Sequence, residues 1–201
     1  SFMKNSPVPV YNPRIGKGDM QGKNYLITLF RLGYPVIPTV DLPNEVESLG
    51  PAEAYVVKPK NGMGSEGISI MSKSELLSKN PQNSIIQPLL EFSGEVSFYF
   101  VDSQFQYALL FEPTRDAART TPKEFAPPQP ELEFALKFVH WNNLPFGIQR
   151  IDALRLMDGR LLLLEIEDSA QHLCLKYAPQ EARVRFLAAL EKSISKLLFV
   201  K

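Results

Sequence analysis

The stretch from Ile148 to Glu167 constrains the fold more than any other. Two strand-like runs, Ile148 to Met157 and Arg160 to Glu167, flank the dipeptide Asp158-Gly159. That dipeptide is the strongest short hairpin signal, because both residues accept the backbone a two-residue turn demands. Side chains alternate along a strand, so Arg150 and Asp152 share one face of the first run and Glu165 and Glu167 share one face of the second. Folding at the turn sets Asp152 opposite Glu165 and Arg150 opposite Glu167. Crowded carboxylates repel and raise one another's pKa values. A hard dication relieves the repulsion, and carboxylate oxygen is what Mg²⁺ prefers, often with substrate phosphates completing its shell. The same hairpin also reads as a solvent-facing pair of strands with one Arg–Glu contact, worth about 0.2–1 kcal/mol.

The rest of the chain reads as mixed secondary structure. Lys23 to Leu32 carries Tyr25, Leu26, Leu29 and Phe30 at helical spacing, with Gly33 at the stop position. Residues 4–20 are rich in Pro, Asn and Gly and read as an irregular arm. Tyr34 to Val40 holds two prolines and is extended. Ala54 to Lys58 and Ile68 to Met71 read as strands around a glycine-bearing loop, and Ser72-Lys73-Ser74-Glu75 is a capping box opening a short helix. Ser84 to Leu90, Glu95 to Val101 and Phe105 to Glu112 are β-rich. Residues 113–130 carry five prolines and read as a long loop. Pro130 to Trp141 and Pro179 to Leu198 are helical. This order predicts an α+β fold with mainly antiparallel sheets.

Two further segments are candidates for chemistry. In Lys58-Pro59-Lys60-Asn61-Gly62-Met63-Gly64-Ser65-Glu66-Gly67, glycines let the backbone approach a ligand closely. Freed amides can cradle phosphate oxygens beside the Lys58 charge. No Gly-Lys-Ser/Thr ending is present, so this is not a P-loop; a plain turn is the competing reading. In Ile85 to Leu90, Pro88 interrupts an apolar strand and leaves backbone groups unpaired, able to read an adenine edge, with Glu95 nearby as an acceptor for ribose hydroxyls. A plain edge strand is the competing reading there.

Composition narrows the function. Among 201 residues, 44% are hydrophobic and 22% charged, which excludes wholesale disorder. Lys plus Arg and Asp plus Glu are both 22, so an electrostatic grip on nucleic acid or an anionic membrane is not expected. Cys174 stands alone, and the histidines are His140 and His172, which excludes a multi-cysteine zinc site. No apolar run approaches the ~20 residues of a membrane helix, and the expected location is cytoplasmic. The length suits one domain or two small lobes sharing a site.

In this order, these pieces resemble the ATP-grasp superfamily, whose members include glutathione synthetase, D-alanine–D-alanine ligase and the ribosomal-protein glutamate ligases. A lysine opening a helix that leads into G-x-P-x-x-P-T matches Lys23 and Gly33-Tyr34-Pro35-Val36-Ile37-Pro38-Thr39. The second lysine matches Lys58, and the glycine loop matches Gly62 to Gly67. The adenine hinge matches Gln87, Pro88, Leu89 and Leu90, and the ribose carboxylate matches Glu95. The closing arginine-x-aspartate and glutamate-x-asparagine pair matches Arg150, Asp152 and Glu165, with Glu167 at the asparagine position. Gly22 stands where an aspartate usually precedes the first lysine.

The resemblance implies two α+β lobes clamping ATP: an N-terminal arm and helix (1–50), a small lobe with the glycine loop (51–91) and a C-terminal lobe with the metal site (92–201). It implies ATP contacts from Lys23, Lys58, Gly62, Met63, Gly64, Ser65, Gln87, Pro88, Leu89, Leu90 and Glu95. Mg²⁺, or Mn²⁺ in its place, would be held by Asp152, Glu165 and Glu167. Arg150, with Arg115 and Arg119 from the long loop, would stabilise the transferring phosphoryl group. The implied activity is ligation of a small-molecule or peptide carboxylate to an amine or thiol through an acyl phosphate, in a chain that could form a homodimer. Family enzymes usually carry a separate domain before the first lysine, and about twenty residues precede Lys23 here. The alternative expectation is therefore a fragment lacking its substrate domain, or an ATP-binding module without ligase chemistry.

Overall fold

In the computed structural model, which describes residues 10–62, 64, 66–113, 121–169 and 171–199, Asp158 and Gly159 do turn the chain. The Gly159 amide donates to the Leu156 carbonyl (3.0 Å) and the Leu156 amide to the Arg160 carbonyl (2.9 Å). Gly159 sits in the left-handed region, at φ +86°. In chain order the elements are α1 (Asn24–Arg31), β1 (Tyr55–Pro59), β2 (Ser69–Met71), α2 (Lys73–Lys79), β3 (Ser84–Pro88), β4 (Phe92–Val101), β5 (Gln104–Phe111), β6 (Lys123–Phe125), α3 (Gln129–Asn142), β7 (Ile148–Leu156), β8 (Leu161–Glu167) and α4 (Gln180–Phe199). They form two antiparallel sheets, ordered β2-β1-β3 and β6-β5-β4-β7-β8. The fold is α+β, as the element order predicts.

Local signals place the helices. The Ser72 hydroxyl accepts the Glu75 amide while the Glu75 carboxylate accepts the Ser72 amide, a reciprocal cap worth about 1 kcal/mol. α1 buries Tyr25, Leu26 and Leu29 on one face and ends where Tyr34 donates back to the Leu29 carbonyl (3.0 Å). The larger sheet has apolar side chains on both faces. Val96, Phe98, Phe100, Ile151, Ala153, Leu161, Leu163 and Ile166 pack with α1 and α3. On the other face Tyr99, Val101, Tyr107 and Leu109 pack against Ala182 and Phe186 of α4. Each large apolar side chain buried this way contributes roughly 1.5–3 kcal/mol. The smaller sheet closes a separate core of Val40, Val46, Leu49, Tyr55, Val57, Leu76 and Ile86.

The proline-bearing stretch after α1 joins the two sheets. Val36 pairs in parallel with Leu163 of β8, and Val40 pairs with Ile86 of β3. The Leu163 amide donates to the Pro35 carbonyl (2.9 Å) and the Ile37 amide to the Leu163 carbonyl (3.1 Å). This short stretch thus covers the outer edge of β8 and ties it to the smaller sheet.

Two expectations need correction. The span 113–130 is not wholly loop: Lys123–Phe125 forms a short edge strand beside β5. Three residues are too few for alternation to register in a sequence; what holds them is pairing, with Phe125 lying 4.7 Å beneath the Arg155 guanidinium. The arm before α1 is also more organised than its composition suggests. Asp19–Gln21 form a 3₁₀ turn, and Asn12 bonds both the amide and the carbonyl of Ile148 (2.9 and 2.6 Å).

Candidate functional site

The hairpin pairs as its sequence predicts, Asp152 opposite Glu165 and Arg150 opposite Glu167, and then slips by one residue so that Ala153 faces Leu163. The slip rephases β8. Leu161, Leu163 and Ile166 all point into the core, whereas Glu165 and Glu167 turn away from it. Strict alternation would have put Leu163 and Glu165 on one face; the bulge separates them.

The acidic end of β8 meets α1. The Lys23 ammonium, almost wholly buried, ion-pairs with Glu165 (2.8 Å) and with Asp19. The Tyr25 hydroxyl donates to Asp19 (2.8 Å) and accepts the Ile166 amide (2.7 Å). Carboxylate oxygens of Asp19, Glu165 and Glu167 all lie within 4.8 Å of one another. An octahedral Mg²⁺ with oxygens at 2.0–2.1 Å needs ligands roughly 3–4 Å apart, so these hard donors fit the ion. Asp152, which the resemblance implies as a metal ligand, sits differently. It is fully buried, takes a bidentate grip from Arg150 (2.8 and 2.7 Å) and accepts the Ser97 hydroxyl (2.7 Å).

Electrostatics follow from this crowding. Burial pushes Asp19 up to about 6 despite Lys23, and the Glu165 charge adds to the rise. Burial and Glu165 push Glu167 up to about 7. Burial also acts on Glu165 upward, but Lys23, Lys58 and Arg150 outweigh it and hold the carboxyl below its ordinary value. Burial would pull Lys23 down, yet Glu165 and Asp19 together raise it. Lys58 goes the other way: burial lowers it, with Glu165, Lys23 and Glu95 as the charges it feels.

The glycine turn reaches the same place from the smaller sheet. The Lys23 amide donates to the Lys60 carbonyl (2.8 Å), and the Lys60 amide to the Asn83 carbonyl (3.0 Å). Gly64 and Gly67 take positive φ values of 62° and 73°, and the Gly62 amide closes back on Pro59 (3.1 Å). Lys60 itself is drawn aside by Asp41 (2.9 Å). Lys58, on β1, lies among the acidic groups of the larger sheet. The lysine-and-glycine turn is therefore tied to the acidic end of β8 through Lys23, and Lys58 feels the charges of Glu165 and Glu95.

The other predicted residues divide. Gln87 is buried on β3 and donates to the Thr39 hydroxyl (2.9 Å). Pro88 ends β3, Leu90 follows, and Leu89 is exposed while its amide donates to the Ala54 carbonyl (2.9 Å). Glu95 stands on β4 between Phe111 and Leu154. Arg150 is engaged by Asp152, by the His172 carbonyl (3.2 Å) and, more distantly, by Glu167 (3.8 Å). Met63, Ser65, Arg115 and Arg119 lie outside the described residues.

Sequence reasoning does not single out Asp19, Tyr25 or Asp168. Asp19 carries a usable signal, since it precedes Lys23 by four residues and one turn of chain brings such a pair together. Tyr25 reads only as an apolar helix position.

Comparison with solved structures agrees with this architecture. The D-cycloserine synthetase DcsG superposes with a TM-score of 0.69 at 23% identity, over 85% of this chain and 69% of that one. The ATP-grasp ligase PsnB, complexed with a minimal precursor, matches with a TM-score of 0.66 at 17% identity, over 94% and 66%. D-alanine–D-alanine ligase from Bacillus anthracis, complexed with ATP, matches at 0.65 and 18%, over 89% and 66%. The chain spans about two thirds of the length of these proteins. No protein-family model and no curated protein matches the sequence. With two antiparallel sheets in an α+β arrangement and this likeness to solved ATP-grasp ligases, the chain has the ATP-grasp fold.

Proposed function

We propose that this chain is the nucleotide-binding and phosphoryl-transfer part of an ATP- and Mg²⁺-dependent ligase that joins a carboxylate to an amine or a thiol. The observation that carries the reading is the position of Lys23, whose backbone is tied to the glycine turn and whose ammonium is tied to the acidic end of β8. One residue thus spans the two surfaces between which a triphosphate would lie. The likeness to ligases solved with ATP, and with Mg and ADP, supports the same reading.

On this proposal Lys23 and Lys58 contact the α- and β-phosphates, and the glycine turn offers its amides to phosphate oxygens. Glu165, Glu167 and Asp19 would hold Mg²⁺, with Asp152 as a further carboxylate beside Glu165, and Arg150 would stabilise the transferring phosphoryl group. The ion supplies charge neutralisation along the triphosphate. A substrate carboxylate oxygen attacks the γ-phosphorus, the bond to the β-phosphate oxygen breaks, and ADP leaves. An amine or thiol then attacks the acyl carbon, phosphate departs, and the nucleophile loses its proton. Positioning and charge stabilisation dominate such a transfer.

The test is nucleotide-dependent stability combined with phosphate release. ATP with Mg²⁺ at about a hundredfold excess over Kd should add roughly 2.7 kcal/mol of stability, and Lys58→Ala should abolish the gain. Phosphate release on adding amino acids or peptides would establish ligase turnover. Stabilisation without release from any acceptor would favour the bare ATP-binding module, which the two-thirds span of the solved ligases also fits.

A further inference from the structure

We infer that Asp168, one residue beyond β8, is a positioning residue that holds the 10–22 segment against the strand and thereby sets Asp19 and Lys23 at the cleft; the inference rests on the proposed nucleotide site. Asp168 is wholly buried. One carboxylate oxygen accepts the Gly18 amide (3.0 Å) and the other the Met20 amide (2.9 Å), the two neighbours of Asp19 in the chain. Its own carbonyl accepts the Asn12 side-chain amide (2.8 Å). A second clamp comes from α3, where the Asn142 side-chain oxygen accepts the Lys17 and Gly18 amides (2.5 and 3.2 Å).

The fit is close enough to need glycine. A Cβ on Gly16 would lie 2.4 Å from the Asp168 carboxylate, and one on Gly18 would lie 2.6 Å from the Ile166 carbonyl. Main chain of residues 16–20 is therefore pressed onto the strand that carries the site. From there Asp19 reaches the cleft and is fixed again through the Tyr25 hydroxyl, which takes the Ile166 amide. Asp19 is held from both sides by groups attached to Ile166 and Asp168, the residues that flank Glu167. A packing role alone would not require a buried carboxylate: two backbone amides could donate equally well to carbonyls, and burying an ion is costly. A carboxylate can accept two amides at once with neither oxygen turned away, which fixes the direction of Asp19.

The experiment compares Asp168→Asn, Asp19→Asn and the double variant. Asp168→Asn keeps the size of the side chain but presents an N–H where an acceptor stood. Thermal stability in saturating ATP is followed against Mg²⁺ concentration. Asp168→Asn should raise the Mg²⁺ midpoint by about 10- to 100-fold, the range for partners that orient metal ligands, and Asp19→Asn should do the same. The double variant should shift no further than Asp19→Asn alone, since Asp168 acts through Asp19. Additive shifts, or a lower melting temperature with an unchanged Mg²⁺ midpoint, would overturn the inference. Amide exchange on the ligand-free protein separates this from failure of the nucleotide reading. Asp168→Asn should deprotect the amides of Gly18, Met20 and Ile166. If ATP and Mg²⁺ leave the wild-type protein unchanged, the nucleotide site falls, and unchanged exchange at those three amides would then sink the positioning role as well.

Discussion

The ammonium of Lys23 lies 2.8 Å from the carboxylate of Glu165 and bridges it to Asp19. A positive group already stands where the three carboxylates could share a cation. The lysine ties two of those carboxylates together, and on the proposed reading it would have to yield to a divalent ion. This balance produces the first expectation.

Lys23→Met removes the ammonium but keeps most of the apolar stem. Asp19 and Glu165 then lose the ammonium between them, with Lys58 and Arg150 left to offset Glu165, and breaking a largely buried pair this way costs about 3–5 kcal/mol. Urea unfolding should show that loss in the metal-free protein. Added Mg²⁺ should restore more stability to the variant than it gives the wild type, because the ion no longer displaces a bound charge. An equal response in both proteins would show that Lys23 and the ion do not compete.

Lys58→Met should behave in the opposite sense. Burial depresses the Lys58 pKa, so removing the charge relieves desolvation, and stability without nucleotide should hold or rise. Stabilisation by ATP should disappear. Calorimetry of ATP binding beside a thermal melt separates the two effects; a variant that loses stability and keeps its affinity would contradict the assignment of Lys58 to the phosphates.

Stability should fall as pH rises from about 4 to 7 in the ligand-free protein, the interval set by two raised carboxyl groups. Asp19 is pushed up to about 6 and Glu167 to about 7, from ordinary values of 3.8 and 4.5. The folded state holds protons that the unfolded chain has released. The resulting stabilisation is complete below about pH 4 and is lost as pH climbs through about 6 and 7, with a slope of at most about 1.4 kcal/mol per pH unit for each proton. Glu165 is pulled below its ordinary value and acts oppositely, at lower pH. On the proposed reading Mg²⁺ would bind the deprotonated carboxylates, so its stabilising effect should grow over the same interval. Melting temperatures across pH, with and without Mg²⁺, read both trends.

Gly18→Ala should destabilise by about 1–3 kcal/mol, because the new methyl meets a backbone oxygen at 2.6 Å that has no rotamer to escape into. Gly33→Ala is the useful contrast. Gly33 has φ +74° but open space around it, so its cost is backbone strain alone, about 1 kcal/mol. Chemical denaturation of both variants gives the comparison. Only Gly18→Ala should also weaken the response to ATP and Mg²⁺.

Much of this protein is legible before folding, and the part that is not has a physical reason. Local signals report themselves: the Asp158-Gly159 turn, the Ser72–Glu75 cap, the stop at Gly33 and the pairing of Asp152 with Glu165 are settled by dihedral preference and alternation within a few residues. The order of those motifs is enough to indicate the fold. Side-chain alternation also says that Glu165 and Glu167 share a face, but not that Leu163 leaves it. That depends on a one-residue bulge opposite Ala153, which lets Leu163 and Ile166 both reach the core. Asp168 grips the chain on either side of Asp19 across a separation of 148 residues, counted from Met20. No local preference links them. Their meeting requires the arm to lie along β8 and Lys23 to bridge two sheets, and those are properties of packing, which a chain acquires only when distant segments compete for the same surface.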